Sequence, residues 1–277
     1  MKAKVAVAVI HGIASQRRKR PPVSTELSFS KGLYDRVRRR LGRKVMAQDI
    51  AWREIFWADV LEDRQEAYLQ RINRSTDFRK TREFIVKGIA DAAAFQPRLG
   101  EGSAYAMVTE RVRRTFADLN EDTSDDTPLI VLAHSFGGWI ISNYVWDLQN
   151  GPEQMPTPFQ NMCTIRKFIT FGTNIPLFTF AYPPEQLEPI KFPGLTLGKP
   201  IPEEPWWLNY YDRDDVLGFP VAPIAPSYQA LADRGELQDI QINAGSLFTS
   251  WNPLSHEQYW TDRDFVRPVA EELKKLL

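Results

Sequence analysis

Short apolar segments alternate with amphipathic segments along the chain, and this alternation predicts the fold class. The apolar segments are too short for helices, and several are bounded by Pro or Gly, which is typical of strands buried on both faces of a parallel sheet. We predict a strand that ends just before Ser135, and further strands at residues 5–10, 44–51, 165–172, 206–211 and 240–242.

Apolar residues recur at helical spacing between these strands. The predicted helices are residues 27–41, a segment with an aromatic face that begins at Trp52, and residues 85–95, 105–119, 139–148 and 266–277. Strands alternating with helices predict α/β architecture, with a mostly parallel central sheet and helices on both faces. We expect one domain over residues 1–277, with a helical insertion at about 53–104.

After the strand predicted at residues 165–172, residues 174–205 form a long segment in which no helix or strand is predicted. Eight prolines are interleaved there with aromatic residues. Long loops of this kind inside a compact domain are commonly functional. We therefore expect either a lid or pocket wall, or a surface loop held down by its aromatic side chains.

Ser135 lies between a predicted buried strand and a predicted helix, with a small residue two positions before it and two positions after it. These residues are Ala133 and Gly137, in the sequence Ala-His-Ser-Phe-Gly. A serine on a sharp strand-to-helix turn is the arrangement of a nucleophile elbow. The alternative is an ordinary turn in which Ser135 is the N-cap of the helix.

The sequence resembles the α/β-hydrolase superfamily, and in particular its serine esterases and lipases, whose elbow reads G-x-S-x-G. Ala133 departs from that pattern at its first position. The resemblance implies an α/β-hydrolase fold, a nucleophilic Ser135, and the chain order serine, acid, histidine. It also implies an oxyanion hole formed by the backbone N–H groups of Ile13 and Phe136, supported by His11 and Gly12.

The chain has three histidines. His134 is adjacent to the serine, and His11 matches the family's oxyanion segment, so His256 is the expected general base. The acid is expected in the loop after residues 206–211. Asp215 fits the family pattern best, because a small apolar residue follows it. Asp212 is the alternative acid, and Asp214 fits less well. Turn-forming or solvated side chains are the alternative for all three aspartates.

Composition limits the remaining possibilities. Lys and Arg total 35, Asp and Glu total 35, and Cys163 is the single cysteine. The cysteine count predicts neither a disulfide framework nor a cysteine-rich metal site, and favours a cytoplasmic location. No apolar run is long enough to span a membrane. We expect no metal, organic cofactor or nucleic-acid partner.

The first 45 residues are strongly basic despite the zero net charge. This segment could contact anionic lipid headgroups or phosphate, and weak membrane-surface contact is one hypothesis. A solvated loop and helix face is the favoured interpretation.

The sequence therefore predicts a serine hydrolase that cleaves a carboxylic ester through an acyl-enzyme, acting on a small-molecule or lipid-like ester. An amidase, thioesterase or acyltransferase would use the same residues. The alternative from a different class is a hydrolase-like fold that has lost activity and serves as a binding module.

Overall fold

The computed structural model describes residues 2–12, 25–72, 90, 92–96, 100, 102–244 and 255–277. Its centre is a six-stranded sheet in which every neighbouring pair is parallel. The strand order is β2-β1-β3-β4-β5-β6. The strands are β1 (Val5–Ile10), β2 (Ile50–Ile55), β3 (Leu129–His134), β4 (Ile165–Phe171), β5 (Trp207–Asp212) and β6 (Leu237–Ile242).

Helices cover both faces of this sheet. They are α1 (Lys31–Leu41), α2 (Arg43–Gln48), α3 (Glu62–Ile72), α4 (Ala104–Asp122), α5 (Phe136–Asn150), α6 (Ile175–Thr179), α7 (Pro226–Asp233) and α8 (Arg263–Leu276). Helices α4, α5 and α7 contribute to the hydrophobic core on one face, and α1 and α8 contribute to the core on the other. The predicted fold class, a mostly parallel sheet with helices on both faces, is confirmed.

The first strand shows why this arrangement follows from the sequence. Successive side chains of a strand point to opposite faces. Ala6, Ala8 and Ile10 belong to one core, whereas the alternate valines of the same strand belong to the other. A strand buried on both faces must therefore be apolar at every position, as residues 5–10 are.

The strand order also determines which strands have their carboxyl ends on either side of the ligand-binding crevice. From β1 the chain passes to β2 on one side, and β3 then pairs with β1 on the other side. The carboxyl ends of β1 and β3 therefore border the crevice where the strand order reverses, which is the usual ligand site of an open parallel sheet. Residues His11–Gly12 and Ser135 follow these two strands directly.

The prediction for residues 44–61 was wrong. Residues 43–48 form α2, the strand occupies Ile50–Ile55, and a 3-10 turn covers Ala58–Val60. Trp52 therefore lies in a strand and does not begin a helix. Its side chain and that of Phe56 belong to one core, whereas Ile55 and Trp57 belong to the other. The apolar residues of this segment are therefore buried on both faces of the sheet. Their positions coincide with helical spacing, although residues 50–55 form a strand.

Helix α1 begins at Lys31, four residues later than predicted. The reason is Glu54, whose carboxylate accepts the backbone N–H groups of Ser28 at 2.8 Å and of Ser30 at 2.6 Å. These bonds hold residues 28–30 against the end of β2. Similar adjustments of one to three residues apply to β5 and β6.

The segments predicted as an insertion and a lid are described in part. Within 53–104, α3 is described, whereas residues 73–89 and 91 lie outside the described residues. Of the predicted helix 85–95, residues 90 and 92–94 are described and are helical. Residues 174–205 contain α6 and 3-10 turns at Pro184–Gln186 and Pro193–Leu197. The insertion and lid assignments stay predictions.

Candidate active site

Ser135 joins β3 to α5 in a backbone conformation that is rare for a residue with a side chain. Its φ is 54° and its ψ is −125°. Such conformations cost about 1–3 kcal/mol and occur mainly at functional sites. The backbone N–H of Ser135 donates to the carbonyl of Phe171 at 3.0 Å, which holds the turn against the end of β4. Ser135 is the N-cap residue of α5, but its side chain accepts no N–H of that helix and is not engaged in capping.

Two glycines allow the neighbouring backbone to approach this turn. A Cβ atom at Gly12 would lie 2.3 Å from Ser135 Cβ and 2.7 Å from Ser135 Oγ. A Cβ atom at Gly137 would lie 2.9 Å from the carbonyl oxygen of His11. Any larger residue at either position would push the end of β1 away from Ser135.

His256 and Asp215 form a buried pair. The Nδ1 atom of His256 lies 2.9 Å from Oδ2 and 3.1 Å from Oδ1 of Asp215. The exposed fractions are 5% for His256 and 4% for Asp215. The carboxylate accepts a hydrogen bond from the N–H at Nδ1, and in a neutral imidazole with its proton there, Nε2 carries no proton and can act as a base.

The two aspartates that the sequence left as alternatives have different partners. Oδ1 of Asp212 accepts the backbone N–H of Asp214 at 2.9 Å, and Oδ2 accepts that of Ala244 at 2.6 Å. Asp212 thus binds the backbone of the two loops that follow β5 and β6. Asp215 faces the imidazole of His256, and its Oδ1 also accepts the backbone N–H of Leu217 at 3.0 Å.

Tyr259 connects these two aspartates. Its hydroxyl donates to Oδ2 of Asp215 at 3.0 Å and accepts the backbone N–H of Asp212 at 2.9 Å. Burial, with the Asp215 carboxylate as a further cause, raises the pKa of Tyr259 far above its usual range. The phenol therefore stays protonated and remains a hydrogen-bond donor to Asp215.

His134 holds the backbone of His256. Its Nε2 lies 2.8 Å from the carbonyl oxygen of His256, and the centroids of the two rings are 4.7 Å apart. A carbonyl can only accept, so Nε2 of His134 carries the proton. Burial lowers the pKa of His134 well below its usual range, and the ring is therefore neutral.

The segment after β4 lies between Ser135 and the His256–Asp215 pair. Thr173 Oγ1 donates to the carbonyl of Ser135 at 3.3 Å. A Cβ atom at Gly172, whose φ is 54°, would lie 3.2 Å from Asp215 Oδ2 and 3.3 Å from His256 Cε1. Together with the ring contact between His134 and His256, these contacts place the serine turn and the pair at one edge of the sheet.

The residues expected to support an oxyanion hole are described in part. Phe136 is the first residue of α5, so its N–H is one of those that have no partner within the helix. Ile13 lies outside the described residues. His11 is buried, its Nδ1 lies 2.7 Å from the carbonyl oxygen of Gly12, and its ring stacks on Trp57 at 5.2 Å.

Tyr259 and His134 are the residues that sequence reasoning missed. Tyr259 follows His256 by three residues on the 3-10 turn Ser255–Trp260. Side chains three residues apart eclipse each other in a 3-10 helix, so this spacing would have indicated Tyr259 if the turn type were known. His134 is adjacent to Ser135 in the sequence, but its contact is with the backbone of His256, 122 positions away.

The described part of the chain contains no group of three or more His, Cys, Asp or Glu side chains that could hold a metal ion. Among the same residues, no helix has the length and apolarity needed to cross a membrane.

No protein-family model matches the chain, and no curated protein matches it. Among solved structures, the chain is similar to that of a "putative hydrolase of the alpha/beta superfamily" from Xanthomonas campestris pv. campestris, with 13% sequence identity and a TM-score of 0.41. The alignment covers 98% of this chain and 99% of that chain. The functional assignment therefore depends on the site itself.

Proposed function

We propose that this protein is a serine hydrolase that cleaves a carboxylic ester through an acyl-enzyme, with Ser135 as nucleophile, His256 as general base and Asp215 as the orienting acid. The observation that carries the proposal is the buried His256–Asp215 pair, 2.9 Å apart, at the edge of the sheet where Ser135 occupies a strained turn. A serine hydroxyl needs such a base, and the base needs such an acid.

In this mechanism, Ser135 Oγ attacks the ester carbonyl while His256 Nε2 takes its proton. Asp215 keeps the proton of the imidazole on Nδ1 and stabilises the imidazolium that forms. His256 then gives its new proton to the leaving alkoxide as the acyl-enzyme forms. In the second half, His256 takes a proton from water, the resulting hydroxide attacks the acyl carbon, and Ser135 Oγ leaves with the returned proton.

The tetrahedral intermediate carries a negative oxygen that needs preorganised donors. We assign one donor to the N–H of Phe136, at the N-terminus of α5, where the helix dipole also favours negative charge. The second proposed donor is the N–H of Ile13. Loss of one such donor costs about 3 kcal/mol of transition-state stabilisation in related enzymes.

Aromatic side chains beside Ser135 favour an apolar acyl group. The Phe136 ring packs on Phe178 of α6 at 4.9 Å, and Phe178 stacks on Trp139 at 5.6 Å. Phe180, at the end of the same helix, is 80% exposed. Apolar groups near a polar reacting centre are typical of small-molecule sites. A carboxylesterase or lipase-like activity is therefore the first choice.

Labelling with a fluorophosphonate tests the proposal, since this reagent phosphonylates activated serines. We expect one equivalent of label per folded chain, located on Ser135 by peptide mass spectrometry. Folded protein that takes up no label would instead favour the binding module without activity. Label on a different serine would contradict the assignment of the nucleophile.

Replacing Tyr259 by phenylalanine tests how Asp215 is held. The variant keeps the buried ring but removes both hydrogen bonds of the hydroxyl, the one donated to Oδ2 of Asp215 and the one accepted from the backbone N–H of Asp212. Hydrogen bonds to charged groups contribute about 1.5–3 kcal/mol, so we expect kcat for p-nitrophenyl esters to fall about tenfold or more with little change in KM. Tyr259 is a positioning residue in this account, because it acts through Asp215.

The comparison of kcat with stability distinguishes this role from a purely structural one. A positioning role lowers kcat of the folded protein while KM stays close to wild type. A structural role lowers the urea midpoint and leaves kcat of the folded fraction unchanged. A Tyr259→Phe variant that loses stability but keeps the wild-type kcat would contradict this prediction.

A further inference from the structure

Four arginines meet in a cleft between the first helix and the last. The cleft has a volume of about 310 Å³ and lies between α1 and the start of α8. Its lining consists of Arg36, Arg39, Arg40, Thr261, Arg263 and Val266. Arg36, Arg39 and Arg40 are three and four residues apart, so they lie on one side of α1.

The described part of the chain provides no ion-pair partner for these four arginines. The carboxylate of α1 is Asp35, which is bound by Lys31 at 2.6 Å and by Arg38 at 3.1 Å, and the charge of Arg39 also acts on it. At the start of α8, Oδ1 of Asp262 accepts the N–H of Asp264. Among the described residues, the cleft therefore carries four positive charges, and none of the four arginines forms an ion pair with a carboxylate.

The two walls of the cleft are held together by packing. Nη1 of Arg36 donates to the carbonyl of Gly32 at 3.2 Å, which fixes this half-buried side chain on α1. A Cβ atom at Gly32 would lie 3.3 Å from Thr261 Cγ2, so α1 and the segment before α8 are in close contact there. Arg263 is the first residue of α8, where the helix dipole adds positive potential.

We infer that this cleft binds a phosphate-bearing anion. Guanidinium groups bind phosphate through paired charge-assisted hydrogen bonds, and the several oxygens of a phosphate can engage more than one arginine at once. An anion would also relieve the repulsion among four like charges. The phosphate could be free in solution or belong to the headgroup of an anionic lipid.

The position of the cleft relates it to the candidate active site. Thr261 directly follows the 3-10 turn Ser255–Trp260, which carries His256. A lipid headgroup bound there would bring the membrane surface next to that turn. The binding itself is independent of the proposed reaction, so it is measured without substrate and can fail or succeed apart from the hydrolase assignment.

The test uses a pair of variants of the full chain with the same change in charge. Arg39→Gln/Arg40→Gln removes two exposed arginines of the cleft. Arg64→Gln/Arg71→Gln is the matched control, since it removes two exposed arginines of α3. The probes are inorganic phosphate, titrated by calorimetry, and vesicles of phosphatidylcholine with or without phosphatidylglycerol, measured by co-sedimentation at low salt.

We expect the cleft variant to bind the probe about tenfold or more weakly, with the control within about twofold of wild type, because two charge-assisted contacts are lost. If the cleft variant binds inorganic phosphate more weakly than wild type, free phosphate alone is a ligand of the cleft. If only its binding to phosphatidylglycerol vesicles is weaker, the ligand is a lipid headgroup. An equal loss in both variants, or no binding of either probe by wild type, would overturn the inference.

Discussion

Ser135→Ala is expected to abolish ester hydrolysis, with kcat/KM for p-nitrophenyl esters falling by about 10⁴-fold or more. The alanine keeps the turn between β3 and α5 but has no oxygen that can attack the carbonyl. Any remaining rate would come from substrate binding and from the N–H of Phe136. A panel of esters of increasing chain length, measured for both proteins, would also report the preferred acyl group.

Ser142→Ala is the matched control for this experiment. Ser142 lies on α5 as well, it is buried, and its hydroxyl has no hydrogen-bond partner among the described residues. Its removal should leave both kcat/KM and the urea midpoint close to wild type. If Ser135→Ala retained activity within about tenfold of wild type, Ser135 would be excluded as the nucleophile.

The sequence carried the information on the serine turn because that information is local. A buried strand, a serine between small residues and an amphipathic helix follow one another within residues 129–150. The parallel sheet could be predicted for a similar reason, since each strand is apolar over its own length. The prediction for residues 44–61 was wrong because both faces of β2 are buried, and such a strand shows no alternation of apolar and polar residues.

The contacts around the imidazole could not be predicted, because they join distant parts of the chain. His134 and His256 are separated by 122 positions, and Tyr259 and Asp215 by 44. Their meeting depends on how the 3-10 turn before α8 packs against the ends of β3 and β5. Asp212 is the last residue of β5 and Asp215 lies three residues after it, so only their partners distinguish them.

Asp215→Asn is expected to lower kcat by about 10⁴-fold while the protein remains folded. The amide of asparagine can donate to Nδ1 of His256, which would favour the tautomer with its proton on Nε2. The ring could then no longer take the proton of Ser135. Kinetics on p-nitrophenyl esters, with urea unfolding of the same preparation, would measure the two effects separately.

Asp212→Asn should lower the stability of the protein more than its kcat. Each carboxylate oxygen of Asp212 accepts one backbone N–H, whereas the amide of asparagine has a single acceptor oxygen. One buried N–H would lose its partner, which costs about 1–3 kcal/mol of stability. The folded fraction should keep kcat within about tenfold of wild type, since the His256–Asp215 pair is unchanged. If Asp212→Asn lost activity as severely as Asp215→Asn while still folded, Asp212 would be the acid, and the assignment made from the 2.9 Å contact of His256 with Asp215 would be wrong.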